Sequence, residues 1–168
     1  MKEKLKKIKV VAMDVDGVLT DGRIIVDSNG VETKNFDVQD GFGIVFLRKC
    51  GIKTAIISAR ESGVVAHRAK DLQIDKVYVG VYPKLSAFED MLEAFKVQDK
   101  EVCFIGDDLA DITVMRRSGV SVAVANAVFE VKQIADYVTK RKGGHGAVRE
   151  TIELILQAQG HWSPKLYE

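Results

Sequence analysis

The residues that can do chemistry in this chain fall into four short groups. The first is Asp14-Val15-Asp16-Gly17, which directly follows the apolar run Ile8–Met13. Two carboxylates two residues apart share one face of an extended chain. At the end of a buried strand their repulsion and desolvation are costly unless something compensates them. The second group is Ser58 with Ala59 and Arg60, the third is Lys84, and the fourth is Gly106-Asp107-Asp108 with Asp111 one turn on. Carboxylates, a hydroxyl and an ammonium together suit phosphoryl transfer. Asp14 and Asp107 can hold a hard cation such as Mg²⁺ through oxygen ligands, which relieves the repulsion between a carboxylate nucleophile and an anionic phosphate. Ser58 and Lys84 can donate to the phosphoryl oxygens. Asp16 can give a proton to the leaving oxygen and later take one from water.

Each group alone has a plainer reading. A lone DxD is often a turn, a Ser at the end of a strand is usually a cap, and Lys84 beside Pro83 suits a surface helix start. Gly-Asp-Asp before a helix is commonly N-cap chemistry. The order and spacing of all four argue for one site.

The elements that must position them alternate. Apolar, strand-like runs are Val10–Val15, Thr54–Ile57, Lys76–Val79, Val102–Ile105, Val120–Val124 and Tyr137–Val138. Between them the spacing predicts helices over Gly63–Leu72 with Ser62 as cap, Lys84–Phe95, Leu109–Arg117 capped by Asp108 and stopped by Gly119, and Ala147–Ala158. Such alternation means an α/β fold, an open parallel sheet with helices on both faces and right-handed crossovers. Ligands bind beyond the carboxyl ends of such strands, where all four groups fall. One segment breaks the rhythm. Arg23–Val26 and Val31–Asp37 flank Asp27-Ser28-Asn29-Gly30, and Asn-Gly between β-like runs predicts a hairpin inserted after the first strand. Thr20 is expected to brace the acidic loop, and Asp21-Gly22 to turn into the hairpin.

A chain of 168 residues with 46% apolar and 29% charged residues is expected to form a single domain over 1–168, with the hairpin at about 22–37 and a C-terminal helix and tail at about 145–168. The net charge is +1, which gives no overall pull on polyanions. The basic runs at Lys2–Lys9 and Lys140–Lys142 lack interleaved aromatic residues and read as a solvated tail and a surface loop, so no nucleic-acid partner is expected. Cys50 and Cys103 are the only cysteines and the three histidines are scattered, which argues against zinc. Cys103 reads as an inert core thiol. No run reaches membrane-spanning length and no signal segment precedes Asp14, so a cytoplasmic protein without membrane contact is expected.

DVDGVLTDG, IISAR, the lysine of YPKLSAF and GDDLADITVM resemble the four motifs of haloacid dehalogenase superfamily phosphatases. The likeness runs from about Val10 to about Gly160 and is strongest to the sugar-acid phosphate branch, through DVQDGFGI and GGHGAVRETIELILQAQG. The resemblance implies a Rossmann-like, capless core that hydrolyses 3-deoxy-D-manno-octulosonate 8-phosphate with Mg²⁺ in lipopolysaccharide sugar biosynthesis. It implies Asp14 as nucleophile forming an aspartyl-phosphate, and Asp16 as acid and base that also lends its backbone carbonyl to the metal. It further implies Asp107 as the next metal ligand, with Ser58 and Lys84 on the phosphoryl group. Arg60 and Arg68 would meet the sugar acid, and the segment Asp37, Gln39, Asp40 and Gly41 would line its pocket. Asp37 and Gln39 stand where Asn and Arg are expected, and His145 is also a departure.

The spacing leaves no room for a cap domain, so something else must exclude water. The resemblance suggests a homotetramer in which the hairpin, and the tail after Gly143, cover a neighbour's site; exposed Ile24, Ile25 and Val26 fit such an assembly. The alternatives are a phosphatase of a nine-carbon sialic-type acid 9-phosphate, a non-catalytic tetramerisation module, and a phosphate-accepting receiver. Arg60 leans toward the eight-carbon acid, and the order of the acidic groups argues against a receiver.

Overall fold

The computed structural model describes residues 1–166. Six parallel strands form one sheet: β1 (Val10–Met13), β4 (Lys53–Ile57), β5 (Lys76–Tyr78), β6 (Val102–Gly106), β7 (Val120–Ala123) and β8 (Tyr137–Val138), in the order β5-β4-β1-β6-β7-β8. The predicted strands all occur, with ends moved by one or two residues. β1 is central, and every one of its residues is buried. An unbroken apolar run is what a parallel strand covered on both faces requires. β1 ends two residues before the predicted Val15, although Asp14 N–H still donates to Ile105 O at 3.0 Å. The chain runs outward from β1 to β4 and β5, then crosses back to β6 and on to β7 and β8. The crevice between the carboxyl ends of β1 and β6 is therefore the topological switch point.

The helices are α1 (Lys2–Leu5), α2 (Val38–Lys49), α3 (Gly63–Asp71), α4 (Leu85–Phe95), α5 (Ile112–Arg117), α6 (Phe129–Ile134) and α7 (Ala147–Ala158). α2 packs on α7, and α4, α5 and α6 adjoin one another. Right-handed crossovers put these two sets on opposite faces. α7 has the predicted bounds. The predicted Leu109–Arg117 helix is a 3₁₀ turn at Leu109–Asp111 followed by α5. The N-terminus corrects the reading of a solvated tail, since α1 buries Leu5 and Gln159 Nε2 donates to Leu5 O and Ile8 O at 3.0 and 2.8 Å.

The hairpin is shorter than predicted, pairing only β2 (Ile25–Val26) with β3 (Glu32–Thr33). Its turn is built as its sequence suggests. The Asp27 carboxylate accepts from Asn29 N and Val31 N at 2.9 and 2.8 Å, and Gly30 has φ +79°. The pairing stops after Thr33 because Lys34 turns inward and is buried. From His161 the tail folds onto its own chain: Trp162 stacks edge-on with Phe46, and Lys49 donates to Leu166 O at 3.0 Å. The last two residues of the expected tail, Tyr167 and Glu168, lie outside the described residues. No described helix is long and apolar enough to cross a membrane.

Candidate active site

Asp14 leaves β1 pointing into the switch-point crevice. One carboxylate oxygen accepts from Val15 N–H at 2.6 Å, and the other lies 2.7 Å from Lys84 Nζ. Lys84 stands at the N-cap of α4 with its side chain wholly buried, and its ammonium also reaches Asp111 Oδ1 at 2.7 Å. Burial by itself lowers this ammonium's pKa. The flanking Asp14 and Asp111 carboxylates outweigh burial and hold the pKa above its ordinary value. Asp107 follows β6. Its Oδ1 is buried with no hydrogen-bond partner, and burial, then the charges of Asp14 and Asp111, push it up to about 8. Burial and then Asp111 push Asp14 up to about 6.

Asp14, Asp107 and Asp111 each bring an oxygen within 4.8 Å of the others. Set against the single Lys84 ammonium, three carboxylates leave excess negative charge in a buried place. The partnerless Asp107 oxygen and the raised carboxylates are what a site for a hard divalent cation looks like without its charge. Asp111 has both oxygens in use, one on Lys84 and the other accepting from Asp107 N and Asp108 N at 2.9 and 3.3 Å. Asp14 and Asp107 are therefore better placed to bind a cation, and the donor set fits one.

The loop after Asp16 is held against this cluster. Gly17 has φ +87°, and a Cβ there would run into the Asp107 carboxylate. Thr20 is buried, and its hydroxyl accepts from Gly17 N and Gly22 N at 3.4 and 3.2 Å and donates to Val15 O at 3.4 Å, the bracing expected of it. Asn126 Nδ2 donates to Gly17 O at 3.2 Å, and its Oδ1 accepts from Gly143 N at 2.7 Å.

Asp14, Asp16, Ser58, Arg60, Lys84 and Asp107 line one cavity of about 250 Å³. The structure thus brings together residues from the ends of β1, β4 and β6 and from the N-terminus of α4. Ser58 is buried, and its hydroxyl accepts from Arg60 N at 3.3 Å.

Residues 80–150 match the haloacid dehalogenase-like hydrolase family. The chain is 45% identical over 157 residues to the 3-deoxy-D-manno-octulosonate 8-phosphate phosphatase of Escherichia coli K12, covering 94% of this chain and 84% of that one. It is 42% identical to the enzyme of the same name from Haemophilus influenzae over 160 residues, 95% of this chain and 89% of that one. The chain belongs to the 3-deoxy-D-manno-octulosonate 8-phosphate phosphatase family. The family's solved structures agree. The Moraxella catarrhalis enzyme, in complex with magnesium ion, phosphate ion and KDO, superposes with a TM-score of 0.94 at 43% identity, covering 96% of this chain and 92% of that one. The cobalt-bound Haemophilus influenzae enzyme gives 0.93 at 39% identity, covering 98% of both chains.

The remaining residues that the family resemblance proposes for substrate lie apart from this cavity. Asp37 is the N-cap of α2 and accepts from Gln39 N at 2.6 Å, so the expected pocket loop is the first turn of a helix. Gln39 accepts from Arg141 Nη1 at 2.9 Å. Asp40 is buried and uses both oxygens on α7, accepting from Gly146 N at 3.3 Å and Arg149 N at 2.7 Å. It thereby caps a helix whose own N-cap, Gly146, has no side chain to do so. Gly41 is smooth because Arg68 and Leu72 of the neighbouring segment pack on it. Arg68 lies over the Phe36 ring, 5.6 Å from its centroid, with Nε unpartnered.

Sequence reasoning missed two supporting groups, Lys34 and Asn126, and named Asp111 without its part in holding Lys84. Lys34 Nζ bonds Asp16 Oδ1 and lies 3.3 Å from Glu32. Asp111 holds Lys84, and the Asp108-x-x-Asp111 capping-box spacing was a usable signal for it. Asn126 had no local signal. Ser62 has the extended backbone of an N-cap but makes no capping bond, because its hydroxyl donates to Glu32 instead.

Proposed function

We propose that this protein is a Mg²⁺-dependent phosphomonoesterase that hydrolyses 3-deoxy-D-manno-octulosonate 8-phosphate to the free sugar acid and phosphate. The observation that carries the reading is the buried cluster at the switch point, with Asp14 held 2.7 Å from Lys84 beside the partnerless oxygen of Asp107. Asp14, Asp107 and the Asp16 backbone carbonyl would hold Mg²⁺, which supplies the positive charge that keeps Asp14 ionised and draws in an anionic phosphate. Asp14 attacks phosphorus and becomes the aspartyl-phosphate as the sugar oxygen leaves with a proton from Asp16. Asp16 then takes a proton from water, whose oxygen attacks the aspartyl-phosphate and frees phosphate and Asp14. Lys84 and Ser58 donate to the phosphoryl oxygens as charge spreads over them. Arg60, at the cavity's edge, is suited to the sugar acid's carboxylate or hydroxyls.

The cavity is open to solvent, and the hairpin carries exposed Ile24, Ile25, Val26 and Val31, with Val38 and Phe42 exposed on α2. Such a surface supports a homotetramer in which the hairpin covers a neighbour's rim. The tail packs on its own chain as far as Leu166, so the hairpin is the better candidate for that cover. The place of work would be the cytoplasm, supplying the sugar acid for lipopolysaccharide.

Purified protein with Mg²⁺, offered phosphorylated eight- and nine-carbon sugar acids side by side, tests the reading. The eight-carbon substrate should have the higher kcat/KM, and Asp14→Asn should abolish turnover. A preference for the nine-carbon acid would reassign the substrate, and full activity of Asp14→Asn would overturn the mechanism. A tetramer without turnover on any sugar phosphate would point to an assembly module.

A further inference from the structure

We propose that Lys34, delivered by the hairpin, is a positioning residue that fixes the Asp16 carboxylate for proton transfer in its own chain. The side chain of Lys34 is 1% exposed although it lies in a hairpin arm. Its ammonium bonds Asp16 Oδ1 and sits 3.3 Å from Glu32 Oε1. Glu32 is held in turn by Arg60 Nη2 at 3.1 Å and by the Ser62 hydroxyl, and Arg60 Nη1 lies 3.8 Å from Asp16 Oδ2. Lys34 thus occupies Oδ1, while Oδ2, with Arg60 at 3.8 Å and no hydrogen bond to it, is the oxygen left to carry the proton.

Asp16 needs such support. It sits in a turn three residues beyond the end of β1, so no ladder fixes its side chain. A proton donor must be held within about 0.5 Å of its productive place to be effective. Lys34 does not line the cavity, so it acts through Asp16 and not on the substrate. The inward turn of Lys34 also explains why the hairpin pairing is so short. The hairpin therefore serves its own chain's site, whatever else it covers.

The inference rests on the reading of Asp16 as acid and base, and a leaving-group comparison separates the two. Single-turnover phosphoryl transfer is measured with Mg²⁺ from the sugar-acid phosphate, whose alkoxide needs a proton, and from p-nitrophenyl phosphate, whose phenolate does not. Asp16→Asn should slow the first by about 100- to 10,000-fold and the second far less. Lys34→Met should show the same pattern at about 10- to 100-fold, with KM nearly unchanged, and Lys34→Arg should recover most of the rate. Should Lys34→Met fail to fold, Lys34→Gln carries the same comparison. An equal loss on both substrates, or a change confined to KM, overturns the positioning role while leaving Asp16 intact. A flat leaving-group response in Asp16→Asn overturns the reading beneath it.

Discussion

The buried carboxylates make a sharp prediction about metal, pH and stability. Burial and the charges of Asp14 and Asp111 raise Asp107 to about 8, against an ordinary value of 3.8 in the unfolded chain. Between those values the folded protein keeps a proton that the unfolded chain has released. A carboxylate raised in this way stabilises the fold fully below its unfolded pKa, and that stability drains away as pH climbs to the folded one. The slope is roughly 1.4 kcal/mol per pH unit for each proton held. From about pH 5 to about pH 7 the metal-free protein should lose roughly 2–3 kcal/mol through Asp107, or roughly 5–10 °C in Tm for a chain of this size. Asp14 and Asp40, each raised to about 6 chiefly by burial, add the same sign over the lower part of the range. Asp75 and Asp136, which hydrogen bonds and lysines hold below the ordinary range, have finished titrating by about pH 5 and do not mask the effect. Mg²⁺ takes the proton's place, so the Tm gained on adding it should be larger at about pH 8 than at about pH 6. Asp107→Asn should make the metal-free pH profile shallower, most clearly above about pH 6, abolish the Mg²⁺ response, and be the more stable protein in EDTA at about pH 8 by a few kcal/mol. Scanning fluorimetry in EDTA and in Mg²⁺ reads every one of these. A metal-free Tm that rises from about pH 5 to about pH 7, or an Asp107→Asn variant less stable than the parent in EDTA at about pH 8, would refute the reasoning.

Three further outcomes are expected. Lys84→Met leaves Asp14 and Asp111 buried without a countercharge; it should cost roughly 3–5 kcal/mol in thermal or urea unfolding, with part of the loss recovered by Mg²⁺ and no recovery of turnover. Gly17→Ala forces a Cβ onto the Asp107 carboxylate at a positive φ; it should cost roughly 1–3 kcal/mol and raise the Mg²⁺ concentration for half-maximal activity, read by metal titration. Asn126→Ala loses the bonds to Gly17 O and Gly143 N; it should cost roughly 1–3 kcal/mol and lower kcat more than KM, and unchanged kcat would confine Asn126 to folding.

The groups proposed to react were legible in the sequence because each sits where a local element ends. Apolar runs such as Val10–Met13 and Val102–Gly106 mark strands buried on both faces, so the polar residue that stops each run must stand at a strand terminus. Asp14, Ser58 and Asp107 could be placed on one rim from that fact alone. The groups that hold them obey no such local rule. Lys34 looks like any charged residue on a hairpin arm, and its burial depends on where the chain turns after Thr33. Asn126 and Gly143 meet the Gly17 loop across more than a hundred residues of sequence, a distance no spacing pattern spans. Asp40 and Gly41 show structural work that the sequence did not reveal. An acidic residue and a glycine in a motif resemble a binding loop, and in this fold one also caps α7 from outside and the other makes room for Arg68. The difference is physical. A reacting group must face the cavity at a place that topology fixes, whereas a group that compensates its charge must reach it through space from wherever packing allows. The hairpin is the instructive case. Its turn and its exposed apolar residues read as a cover for something else, and only the inward course of Lys34 ties it to the Asp16 carboxylate.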